Sequence, residues 1–226
     1  MKTHPGRALY TIARYWRSVG IQHLALTLPQ DELPSLESVI TERKTAIDAF
    51  KPFVESCKNC SLCESRKQTV FGEGNVMSQL MFISGPPDAD SEAQNKSLQG
   101  ECGELFDRML NKMGYQRNDI FITSIVKCRP PEDRHPNEKE LNSCHTWLQQ
   151  QLDLISPKVI VTLGALATKS LLQVEAPITQ LRGHFHIWKN TKVMPTYHPA
   201  YLLKKATARK DVWSDMLAVL AELKTT

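Results

Sequence analysis

The sequence predicts an α/β domain: a three-layer α/β/α arrangement around a four-stranded parallel sheet. Three observations carry that expectation. Apolar runs at 80–83, 120–126, 159–163 and 192–196 alternate with stretches of helical period. The runs are short and densely apolar, as suits parallel strands covered on both faces. The most distinctive residues follow directly on the runs, at 84–88, 124–128, 164 and 197–199. In a parallel sheet that is the rim where ligands bind.

With 226 residues, 41% of them hydrophobic, the chain can bury a sizeable core without disulfide staples. Six cysteines and an N-terminus with no apolar leader lead us to expect a reduced, cytoplasmic protein. Residues 1–30 carry Arg7, Arg14 and Arg17 and no long apolar run, so neither a signal peptide nor a membrane span is expected. A net charge of +4 permits a polyanionic partner without demanding one.

Residues 1–35 read as a separate docking segment and linker, with the main domain at 36–226. Leu9, Ile12, Ala13 and Trp16 recur at helical spacing, and Pro29 and Pro34 flank an acidic linker. The segment either packs back on the domain or offers Tyr15, Trp16 and Ile21 to another protein, since aromatic anchors dominate such contacts. A helix over 36–54, with Val39, Ile40, Ile47, Phe50 and Phe53 as its apolar side, delivers the chain to Cys57. Residues 70–74 form a glycine-rich turn into the first strand, which ends in the loop Ser84-Gly85-Pro86-Pro87-Asp88. A polar stretch leads through 100–103 into a helix with Leu105, Met109, Leu110 and Met113, closed by Gly114. Further helices are expected from Asn137 to about Ile155, from Gly164 to Leu172, and from Ala206 to Leu223.

Cys57 and Cys60 stand at metal-ligand spacing. Cys128 lies where Arg129-Pro130-Pro131 ends a strand, and Cys144 lies in the following helix. Two thiolate pairs suit a zinc ion or an iron–sulfur cluster, and buried free thiols are the bland alternative. The spread of the second pair over a strand exit and a helix suits a larger inorganic body.

Taken together, Cys57-x-x-Cys60-x-Leu62, Phe71-Gly72-Glu73-Gly74, Lys127-Cys128-Arg129-Pro130-Pro131, Arg134-x-Pro136, Leu181-Arg182-Gly183 and Thr196-Tyr197-His198-Pro199-Ala200-Tyr201-Leu202-Leu203 resemble the iron–sulfur (family 4) uracil-DNA glycosylases in order and spacing. The resemblance runs from about Ser56 to Leu223. It implies a uracil-DNA glycosylase-like fold, a [4Fe–4S] cluster on Cys57, Cys60, Cys128 and Cys144, and DNA as a partner. Cys63 and Cys102 fall outside the pattern and are expected to be packing cysteines.

That family holds a flipped uracil with a loop glutamate, a stacking phenylalanine, a reading asparagine and a histidine donor. Only the histidine is kept, as His198. The glutamate position is Gly85, the loop's last glycine is Asp88, the phenylalanine is Leu98 and the asparagine is Ser124. A leucine offers no π-face, and a serine hydroxyl cannot make an amide's paired contacts. The pocket therefore reads as degraded, or retuned to something other than uracil. The resemblance also implies that a loop from His198 to Arg209, with Lys204, Lys205 and Arg209, approaches the DNA minor groove. A solvated helix start is the alternative there. Arg129, Arg134 and His135 are expected to add positive charge near the cluster.

The segment 10–28, chiefly Tyr15-Trp16-x-x-Val19-Gly20-Ile21, resembles the docking peptide of the psi subunit of bacterial DNA polymerase III clamp loaders. That resemblance implies a clamp-loader chi subunit as partner. Three functions follow: a non-catalytic replication or repair factor, which we favour; an active base-excision enzyme; and a redox sensor, which needs only the cluster.

Overall fold

The computed structural model of the protein describes residues 35–225. Six strands, β1 (Glu73–Gly74), β2 (Leu80–Ser84), β3 (Phe121–Ser124), β4 (Val159–Leu163), β5 (His186–Trp188) and β6 (Thr191–Thr196), form a sheet in the order β1-β3-β2-β4-β6-β5. The four central strands are parallel, as the sequence predicts, and β1 and β5 are antiparallel edges. β2 and β4 are buried along their whole length. Successive side chains on a strand point to opposite faces, and that alternation divides the core in two. Met81, Ile83 and Ile160 pack on one face with Phe50, Leu148 and Leu171. Leu80, Phe82 and Val161 pack on the other with Phe106, Leu110 and Met216. This is the expected three-layer arrangement.

The helices are α1 (Leu36–Glu55), α2 (Leu62–Ser65), α3 (Ala89–Gln94), α4 (Gly100–Met113), α5 (Glu138–Ile155), α6 (Ala165–Leu172), α7 (Ile178–Leu181), α8 (Pro199–Lys204) and α9 (Arg209–Lys224). α1 starts where the Ser35 hydroxyl accepts the Ser38 N–H. It buries Ala46, Ile47, Phe50 and Val54. Ile40 and Phe53, expected on that side, are 40% and 49% exposed, because the helix meets the sheet along a narrower stripe than the apolar residues cover. α5 opens on a reciprocal capping box between Asn137 and Glu140. Gly114 closes α4 in the left-handed conformation, as expected.

Several expectations need correction. Residues 73–74 are an edge strand and not merely a turn: Gly74 has φ 117°, and a Cβ there would collide with the Ile120 carbonyl. The polar stretch before 100 contains α3, capped by Asp88. The segment from His198 to Arg209 is not a loop. Pro199 occupies a first-turn position behind an N-capping His198 and starts α8, and a 3-10 turn at Ala206–Ala208 then leads into α9. The docking segment, with Tyr15, Trp16 and Ile21, lies outside the described residues.

The register sets the rim. Ser84 stands beside Ser124, and Leu163 beside Thr196, so the parallel strands end level. Ser124, Gly85, Gly164 and His198 thereby follow one another along the sheet's C-terminal edge. Among the described residues no helix is long and apolar enough to cross a membrane.

Candidate functional site

Two groups of residues occupy this edge and its flank. In the first, Cys57 and Cys60 follow the end of α1, Cys128 lies four residues beyond β3, and Cys144 sits on α5. All four line one cavity, together with Val54, Leu62 and Trp147. The fifth thiol on that cavity is Cys63, which sequence reasoning set aside. Cys102 is on α4.

N–H donors are aimed at three of the sulfurs. The Trp147 indole donates to Cys57 Sγ at 3.2 Å, Arg66 to Cys128 Sγ at 3.1 Å, and the Lys127 backbone N–H to Cys144 Sγ at 3.3 Å. Such donors favour the thiolate, whereas burial opposes it. Burial pushes Cys144 up to about 12 and also raises Cys60 and Cys128. Buried thiols that bind no cation stay protonated, and a bound metal offsets that penalty by its own charge. Among the described residues no three His, Cys, Asp or Glu side chains converge tightly enough to grip a single ion. Five thiols lining one cavity, with N–H donors to three of the sulfurs, are chemically suited to a thiolate-bound metal centre.

Glu140 ties this group together. It is buried, and it accepts two bonds from Arg134 at 2.7 and 2.8 Å, one from the Ser61 hydroxyl at 2.9 Å and one from the Asn137 N–H at 2.8 Å. Arg134 chiefly holds its carboxyl down at about 2. One carboxylate thus clamps the loop of Cys60 to the helix of Cys144. Of the residues expected to add positive charge there, Arg134 pairs with Glu140 and Arg129 with Asp133 at 2.7 Å.

The second group is the rim. Gly85 follows β2, and a Cβ there would meet nothing within 4 Å. The Ser124 hydroxyl donates back to the Val126 carbonyl at 2.8 Å. Leu98 has φ 52° and is buried in the core layer that contains Leu163 and Leu202. Arg117 holds it there, donating to the carbonyls of Ser97 at 2.8 Å and Leu98 at 2.6 Å while paired with Glu73 and Asp107. Asp88 caps α3 through the Ser91 N–H at 2.8 Å.

His198 accepts the Ala200 N–H at Nδ1, 3.1 Å away, which leaves the proton on Nε2. Burial lowers it to about 4, against the opposing pull of Asp88. It is therefore a neutral N–H donor at neutral pH. Gly164, at φ 88°, brings the β4–α6 turn against it: a Cβ there would lie 3.0 Å from that of His198. Lys204 ends α8, Lys205 caps it, and Arg209 begins α9.

Lys127 joins the two groups. Its buried Nζ donates to the Ser124 carbonyl at 2.8 Å, to Gln151 at 2.6 Å and to Thr123, while its backbone binds Cys144. Burial lowers it to about 7, opposed by Cys144 and Cys128. Its position directly before Cys128 was the available sequence signal.

The profile of the uracil DNA glycosylase superfamily matches residues 71–220, the stretch that builds the sheet, the rim and the second cysteine pair. The chain belongs to that superfamily. Among its relatives, the Type-4 uracil-DNA glycosylase of Sulfurisphaera tokodaii is 36% identical over 179 residues, covering 75% of this chain and 81% of the relative. That of Saccharolobus solfataricus is 37% identical over 183 residues, covering 76% and 84%. That of Thermotoga maritima is 34% identical over 164 residues, covering 72% and 85%. Within the superfamily, the resemblance to the Type-4 proteins read from the cysteine and histidine motifs is thus supported along most of the chain.

Proposed function

We propose that this glycosylase-superfamily chain is an iron–sulfur protein acting as a non-catalytic factor in DNA replication or repair. One observation carries the reading: at the end of β3 the Ser124 hydroxyl is committed to the Val126 carbonyl, where the family resemblance puts an asparagine that reads uracil. Gly85 supplies no carboxylate and Leu98 no aromatic face. A site that depends on hydrogen bonds to its substrate loses about 10,000-fold when those bonds are missing. The test is uracil release from single- and double-stranded DNA beside a Type-4 enzyme. Little or no release is expected. Robust release that His198→Ala abolishes would overturn the reading.

In this reading a [4Fe–4S] cluster is held by Cys57, Cys60, Cys128 and Cys144, and its presence fixes the loops that those residues carry. Anaerobically purified protein should be brown, with about four irons per chain, as a cubane on four thiolates requires. A colourless protein with one zinc contradicts the assignment. Lys204, Lys205 and Arg209 are proposed to meet DNA phosphates, a role supported by relatives named as DNA glycosylases. Residues 1–35 are proposed as a docking segment and linker, with residues 10–28 binding a clamp-loader chi subunit through Tyr15, Trp16 and Ile21. Removing residues 1–30 should abolish that complex and leave the melting curve unchanged. Collapse of the fold on truncation contradicts the docking role.

A second reading, an active glycosylase for uracil or another damaged base, is favoured by His198. Its neutral ring with the proton on Nε2 is the form that can donate to a departing base.

A further inference from the structure

Cys57, Cys60 and Cys63 recur at every third residue, and the chain between them is wound tightly. The Cys63 N–H bonds to the Cys60 carbonyl at 3.2 Å, and the Glu64 N–H to the Ser61 carbonyl at 3.1 Å. With hydrogen bonds spanning three residues, side chains three apart lie over one another. The winding therefore sets Cys60 and Cys63 on one side of the turn, and both line the cavity that Cys57, Cys128 and Cys144 also line. The five thiols are not held alike. Cys128 and Cys144 are buried, and Cys57, Cys128 and Cys144 each receive a side-chain or long-range N–H donor. Cys60 is only partly buried, and the bond it accepts comes from its own turn, from Leu62. Cys63 is likewise partly buried. The most loosely held member of the four thus has a second thiol beside it on the same cavity wall.

We propose that Cys63 is a reserve ligand of the iron–sulfur site, able to take the place of Cys60. This rests on the reading that the cavity holds a cluster. The exchange is a ligand substitution without electron transfer. The Cys63 thiol gives up its proton as its sulfur bonds to iron, and the iron–sulfur bond to Cys60 breaks, leaving a thiolate that takes up a proton. The spare thiol keeps four sulfurs on the cluster when the Cys60 sulfur leaves it.

The test measures iron, acid-labile sulfide and the visible and electron-paramagnetic-resonance spectra of full-length protein purified without oxygen. The expected result is unchanged iron in Cys63→Ser and more than half the native iron, with altered spectra, in both Cys60→Ser and Cys60→Ala. The double variant Cys60→Ala/Cys63→Ser should lose at least ten-fold. Two results overturn the inference: Cys60 variants as empty as the double variant, or a double variant that keeps as much iron as Cys60→Ala. Absence of iron from the unaltered protein would instead defeat the cluster reading itself, so the two failures are distinguishable.

Discussion

The cysteine cavity and the strand rim flank the same sheet, yet their polar groups are used in opposite ways. Around the cavity, side chains distant in sequence converge on a common centre: Trp147, Arg66 and Lys127 donate to sulfurs, and Glu140 binds the two halves together. At the rim, polar groups turn to their own backbone neighbours. Ser124 bonds to Val126, Asp88 to Ser91, and His198 through Nδ1 to Ala200. The first pattern is that of a site organised to hold something. The second is that of side chains serving local turns and caps. In the reading proposed above, the cavity is equipped to hold a cluster while the rim serves structure.

The largest expected effect comes from breaking the cavity. Cys144→Ser should lose essentially all iron and melt at a markedly lower temperature, whereas Ser124→Ala at the rim should leave the iron content unchanged. Next is Glu140→Gln. It strips the half-exposed Arg134 of its carboxylate partner and weakens the Ser61 clamp, so the midpoint of denaturant unfolding should fall measurably. Lys127→Met sharpens the link between the regions. It strips the Ser124 carbonyl of its donor and should cost about 2 kcal/mol in the same experiment, the scale of one buried polar group left unpaired.

The smallest effect is a titration. His198 is held at about 4, below the ordinary histidine value of 6.5. The unfolded chain therefore takes up a proton between 6.5 and 4 that the native state does not. This histidine's contribution to stability is full above pH 6.5 and is lost as pH falls through that window. NMR should show its ring neutral from pH 8 down to 5, and Asp88→Asn should lower the midpoint further. A midpoint near 6.5 would contradict the burial that we assign to it.

Much of this was legible in the sequence. β4 and α6 fall at the expected bounds because an all-apolar run followed by a glycine admits few other readings. The cysteine set and His198 stood out through motif resemblance. β1 was hidden because two residues carry no period, and α8 because six residues carry too little of one, although Pro199 starts it. The partners of the cysteine sulfurs could not be read at all. Arg66 and Trp147 reach theirs across 62 and 90 residues of chain, a proximity that only the folded sheet creates. Cys63 was within reach, since its three-residue spacing from Cys60 repeats that of Cys57.

The central claim is that the cavity is equipped and the rim is not. It is tested most directly by single-turnover uracil release from one DNA substrate, comparing the iron-loaded protein with its Gly85→Glu/Leu98→Phe/Ser124→Asn variant. The account predicts that the unaltered protein is silent and that the variant, with equal iron content, gains at least 100-fold. Release by the unaltered protein as fast as by the variant would contradict it.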